Sequence, residues 1–215
     1  MTSKIRFRGA TSGFVELAAP DAAGSNTLVL PTGNGTSGQY LQTNGSGALS
    51  WATVSTSNLT RGTAVASTSG TSIDFTGIPS GALKITILLD EVSTNGTSNL
   101  LIQIGDSGGI ETTGYVSQSA QTFTANGNFT SSTAGFVSAW GSTAGDRKGE
   151  ITLYCISGNK WVAAGNHTGK DGVNEGNVLI GGVKTLSDTL TQVRITTVNG
   201  TDAFDAGTIN IMYEV

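Results

Sequence analysis

Only one cysteine, Cys155, occurs among the 215 residues, which excludes an intrachain disulfide. Only one histidine, His167, is present, so the chain has too few nitrogen and sulfur ligands for a zinc site. Charged residues make up 12% of the chain, about half the share of an ordinary soluble domain. Eleven basic residues stand against fifteen acidic ones, a net charge of −4 that argues against a body binding a phosphate backbone. No apolar run approaches the ~20 residues a membrane-spanning helix needs. The opening MTSKIRFRG lacks the apolar core of a secretory signal. The expectation is a chain with no nucleic-acid or membrane partner and no metal or cofactor, stabilised by packing and assembly.

Glycine is abundant, 31 residues of 215, and Ser, Thr and Asn fill the place of the missing charge. Good helix formers seldom occur in runs, whereas Val, Ile, Thr and aromatic residues sit in short alternating segments. This is an all-β composition. Strands are predicted over residues 83–89, 100–104, 115–123, 135–140, 149–156, 160–166, 178–186, 192–198 and 207–214. Between them Asn95-Gly96, Asn126-Gly127, Asn159 and Asn199-Gly200 supply tight-turn chemistry. About eight to ten strands without a convincing helix predict a jelly-roll-like β-sandwich.

Three regions are distinguished. Residues 1–12 form an arm in which Lys4, Arg6 and Arg8 alternate with Ile5 and Phe7, so an extended backbone points cations one way and apolar groups the other. Residues 13–60 form a linker whose apolar residues come in bursts: Phe14 and Leu17, Leu28 and Leu30, Tyr40 and Leu41, Leu49 and Trp51. A segment so thin in hydrophobes does not bury enough surface alone to offset its ordering entropy. Its apolar bursts are expected to pack between copies in a trimer. Its last part, residues 53–59, reads as a tether. Residues 61–215 carry the sustained alternation of the sandwich.

Few residues suggest chemistry. His167 lies in Asn166-His-Thr-Gly-Lys170 and reads as an exposed histidine at a strand end or loop, with no Gly-x-Ser-x-Gly elbow to serve it. Asp202 with Asp205, and Asp171 with Glu175, are acidic pairs that match no calcium loop and are explained by turn chemistry. Cys155 shares a predicted strand face with Ile151 and Leu153, as a buried structural thiol does. Tyr115, Phe136 and Trp140 are candidates for a glycan-stacking platform, although core packing explains most of the aromatics, and Trp161 shares its face with Ala163. No enzymatic activity is expected.

Residues 24–51, GSNTLVLPTGNGTSGQYLQTNGSGALSW, resemble a segment of tailed-bacteriophage virion proteins, cyanophage ones especially, that joins a virion-attached N-terminus to a projecting β-domain. Residues 72–81, 94–105 and 193–207 are similar to the β-sandwich module of phage tail-fibre tips and of capsid cement, or decoration, proteins. The resemblance implies a homotrimer located in the virion. Fibre proteins carry a tail-binding domain and often a long shaft ahead of this module, and neither is seen in this sequence. The expectation is therefore a capsid cement protein, its arm of Lys4, Ile5, Arg6, Phe7 and Arg8 docking on the major capsid protein at the outer shell. The rival expectations are a short tail-fibre or receptor-binding protein recognising host surface polysaccharide, and a glycan-cleaving depolymerase, which needs paired acids that do not stand out.

Overall fold

A computed structural model describes residues 4–22, 24–54, 58–122, 127–140, 145–170 and 175–215. Among the predicted features, the first three residues of the arm, the centre of the 53–59 tether, the end of the 115–123 strand, the turn at Asn126 and the start of the acidic run at Asp171 lie outside these residues. The chain divides into two compact units, residues 1–56 and 57–215.

The first unit is built from two hairpins. Strand β1 (Lys4–Arg8) pairs antiparallel with β2 (Phe14–Ala18), a register that joins the predicted arm to the start of the predicted linker. Strand β3 (Gln39–Thr43) pairs with β4 (Leu49–Thr53). The loop between β3 and β4 is closed by Asn44, whose side-chain oxygen accepts from the backbone N–H groups of Ser46 (2.9 Å) and Ala48 (3.2 Å). A parallel bridge joins Val29 to Ala48. Trp51 organises the rest: its indole N–H donates to the Gly33 carbonyl at 2.6 Å, and its ring lies so close to Gly35 that a Cβ there would sit 2.6 Å from it. Gly35 has φ 71°, so this position needs glycine for both space and backbone conformation. Residues 24–54 thus carry local order built on the β3–β4 hairpin and Trp51.

The second unit contains β5 (Leu59–Arg61), β6 (Val65–Ala66), β7 (Ser72–Thr76), β8 (Lys84–Thr94), β9 (Leu100–Asp106), β10 (Gly109–Ile110) and β11 (Tyr115–Thr122). There follow β12 (Gly127–Ser132), β13 (Phe136–Ser138), β14 (Asp146–Ser157), β15 (Lys160–Lys170), β16 (Glu175–Thr185), β17 (Gln192–Thr197) and β18 (Phe204–Glu214). A nine-stranded antiparallel sheet runs β12-β11-β16-β15-β14-β8-β18-β5, with β6 also on β18. A five-stranded sheet runs β10-β9-β17-β7, with β13 on β9. One core lies between them. Ile85, Ile87, Ile151, Leu153, Trp161, Ile209 and Ile211 come from the larger sheet, and Ile73, Phe75, Ile102, Ile104, Val193 and Ile195 from the smaller. The arrangement is all-β and sandwich-like. It follows from period-two alternation, which puts one face of each strand in the core.

The larger sheet curls where its strands are irregular. In β8 the inward set is Ile85, Ile87 and Leu89, then Val92 and Thr94, so the alternation slips by one residue. The extra residue is a bulge at Asp90-Glu91, where Glu91 takes φ 53°. Gly207 of β18 sits against it at φ 95°, where a Cβ would lie 2.5 Å from the Glu91 backbone. Leu83, the first residue of the predicted 83–89 strand, lies just before β8 and is exposed. On β11 the inward residues are Tyr115, Ser117 and Ser119, while Val116 is exposed. The two serine hydroxyls accept the backbone N–H groups of Val137 (2.9 Å) and Ala139 (3.1 Å), which ties β13 to the larger sheet.

Candidate functional site

The surface that stands apart is the β1–β2 hairpin. Its register places Ile5 opposite Leu17 and Phe7 opposite Val15, so these four side chains share one face. They are 61, 64, 57 and 68% exposed respectively. On the other face Glu16 is gripped by two cations: Lys4 Nζ lies 3.1 Å from Oε1, and Arg6 Nε donates to Oε2 at 2.6 Å. The Arg6 guanidinium also lies over the Phe14 ring, 4.0 Å from its centroid. Three cations against one carboxylate leave this face positive. All five predicted docking residues therefore lie on one strand, with the apolar pair and the cations on opposite sides.

A two-stranded hairpin is at best marginally stable in water, and one with a bare apolar face needs cover. The other apolar residues of the linker behave similarly. Leu28, Leu30, Phe14, Tyr40 and Leu41 are exposed, whereas Leu49 and Trp51 are half-buried within the β3–β4 unit. Two contributors were not among the predicted site residues. Val15 completes the apolar face and Glu16 is the counterion that organises the cationic one. The signal for both was the alternation of Phe14-Val-Glu-Leu-Ala18 read in register with residues 4–8.

The candidate glycan platform is not a surface. Tyr115, Phe136 and Trp140 are 1, 0 and 1% exposed, so none offers a ring face to a sugar. Tyr115 packs edge-on against Phe136 with centroids 5.1 Å apart, and its hydroxyl accepts from Ile104 N–H and donates to the Glu111 carbonyl. The Trp140 ring fills the space a Cβ on Gly169 would need. Aromatic bodies of this size are drawn into the core because it gains most from burying them.

His167 is also buried, 1% exposed on the inward face of β15, which corrects the expectation of an exposed loop histidine. The inward series Trp161, Ala163, Gly165, His167 was masked by the glycine, which has no side chain to mark the face. Nδ1 lies 3.1 Å from the Thr168 carbonyl, which can only accept, so the proton sits on Nδ1. Nε2 therefore accepts from the Ser138 hydroxyl at 2.5 Å. Burial is the main force that pulls the His167 pKa down to about 4, and the Arg147 charge adds to it. Arg147 is itself fully buried and donates to the carbonyls of Val92, Gly145 and Trp140. Desolvation lowers its pKa to about 10, opposed by Asp205 and Asp146, so it stays charged at neutral pH. A serine–histidine contact exists, yet Nδ1 faces a carbonyl in place of a carboxylate, and both side chains are closed to solvent.

The remaining candidates are structural. Asp202 accepts from Ser98 N–H (2.9 Å) and the Asn199 amide (2.6 Å), and Asp205 from the Ser93 hydroxyl. No group of three or more His, Cys, Asp or Glu side chains able to hold a metal occurs among the described residues. Cys155 is half-buried at the core margin rather than within it, its thiol donating to the Gly158 carbonyl at 3.3 Å. No protein-family model, no curated protein and no solved structure matches the chain.

Proposed function

We propose that this chain is a phage virion structural protein, a homotrimeric capsid cement protein whose first unit attaches to the outer shell and whose jelly-roll-like second unit stands above it. It has no enzymatic role in this reading. The observation that carries it is the amphipathic β1–β2 hairpin, cationic on one face and bare apolar on the other. A positive strip suits acidic subunits of a major capsid protein. The resemblance of residues 24–51 to virion linkers points the same way. Bound trimers would staple neighbouring capsomers against the pressure of packaged DNA, because a ligand of the assembled shell alone stabilises assembly.

A second reading has one observation in its favour. The outer face of the nine-stranded sheet carries an open trough of about 580 Å³ walled by Val116, Phe129 and Leu179. Phe129 is 79% exposed there, which suits stacking against a sugar ring in a short tail-fibre or receptor-binding protein.

The experiment is binding to capsids stripped of this chain. Deleting residues 1–18 is expected to abolish binding while the second unit keeps its β circular dichroism. If the truncated chain still saturates stripped shells, the cement reading fails. Virions lacking the chain are expected to lose heat resistance and keep adsorption. Full heat resistance with lost adsorption would establish the receptor reading instead.

A further inference from the structure

We infer that the apolar face of the β1–β2 hairpin is a self-association surface, covered in the assembled protein by the first units of further copies of this chain. Its cationic face is left outward for the acceptor. The number of copies, three, rests on the trimeric reading above; the assignment of the faces does not.

Charge selects which face meets which. The apolar face of Ile5, Phe7, Val15 and Leu17 carries no charge at all. The opposite face carries Lys4, Arg6 and Arg8 with Glu16 as its one carboxylate, beside Phe14 and Ala18, so apposing two such faces would bring six cations against two carboxylates. Like charges placed together across a contact are costly, and burying them without full pairing costs more. Packing the apolar faces inward removes that conflict and turns every cation outward. Symmetry supports the same occupant. Around a three-fold axis equivalent strips of the copies can meet one another, and an uncharged apolar strip does so without bringing like charges together.

Area identifies the extent of the contact. Four side chains at these exposures offer roughly 400 Å² per copy, about half of the ~800 Å² per partner of a standard interface. Leu28, Leu30, Tyr40 and Leu41, all exposed in the same unit, supply a comparable amount. The contact therefore draws on more of the first unit than the hairpin, which supplies its uncharged strip. An acceptor shell is the less suitable occupant. It would have to expose a matching apolar patch of several hundred Å² to water beforehand, and soluble surfaces rarely do so. This division of labour makes attachment depend on both faces: the apolar one gathers copies, and the gathered cationic faces bind with the combined strength of several weak contacts.

The test is sedimentation equilibrium of the full chain at micromolar concentration. The native chain is expected to be trimeric. The pairs Ile5→Ser with Phe7→Ser, and Val15→Ser with Leu17→Ser, each remove half of the apolar face from a different strand. Each is expected to weaken association by about a hundredfold or more. Arg6→Ser with Arg8→Ser is expected to leave the trimer intact. In a Cys155→Ser background, Leu17→Cys is expected to form disulfides between copies on oxidation. Circular dichroism confirms that each variant keeps its body. A monomeric native chain, apolar variants that stay trimeric, or a charge variant that dissociates would each overturn the inference. Sedimentation of the isolated chain scores self-association without a shell, and binding of the still-trimeric Arg6→Ser with Arg8→Ser variant to stripped shells scores the cement reading separately.

Discussion

Acid should destabilise this protein through His167, and replacing that residue should remove a calculable part of the effect. The unfolded chain takes up the imidazole proton near pH 6.5, whereas the fold holds the ring neutral down to about pH 4. The folded pKa is depressed for a base, so the unfolded state binds more protons between these values and stability falls as pH drops through the window. Above pH 6.5 the group contributes no pH dependence, and below about pH 4 the loss is complete at about 3 kcal/mol. At pH 4.5 the loss is about 2.5 kcal/mol relative to pH 7. The causes are local. A protonated ring is poorly solvated among core residues, faces the Arg147 guanidinium and no longer accepts from Ser138. His167→Gln keeps a side-chain acceptor but does not titrate. Urea unfolding of both proteins at the two pH values isolates the term, because carboxylates held ionised by hydrogen bonds, such as Asp106 by Ser187 and Asp202 by Asn199, titrate in both. For a chain of this length the native protein should lose roughly 5–10 °C more in melting temperature than the variant. If the two lose stability in parallel within about 0.5 kcal/mol, the histidine is not held neutral as described.

Gly207→Ala should cost about 2 kcal/mol or more, since φ is 95° and the added Cβ would strike the Glu91 backbone; a denaturation midpoint unchanged by the substitution would show that the bulge adapts. Iodide should quench Trp51 alone among the three tryptophans, because Trp140 and Trp161 are 1 and 3% exposed while Trp51 is half-buried. Trp51→Phe should therefore abolish quenching, and residual quenching in that variant would mean the core opens to solvent.

The strands of the second unit were legible wherever alternation was unbroken. Ile85, Ile87 and Leu89 on β8, and Ile209 and Ile211 on β18, point inward as their spacing requires. The amphipathicity of residues 4–8 was legible in the same way, since period two needs only an extended backbone. Legibility ended where a tertiary partner changed the count or the value of a face. The Glu91 bulge shifts Val92 inward, and it exists because Gly207 on a strand more than a hundred positions away leaves room for it. On β11 two serines displace Val116 from the interior because their hydroxyls satisfy backbone groups of β13, which local propensity does not register. His167 read as an exposed residue at a strand end or loop because a glycine interrupts its face, and only the packed sheet shows it neutral and enclosed. Composition and alternation alone determined an all-β chain with a two-faced N-terminal strand. The tertiary structure decided which aromatic and polar groups are inside, because burial depends on what the opposing sheet leaves unsatisfied. Pairing with Phe14–Ala18 likewise turned that strand into a hairpin with one wholly apolar side.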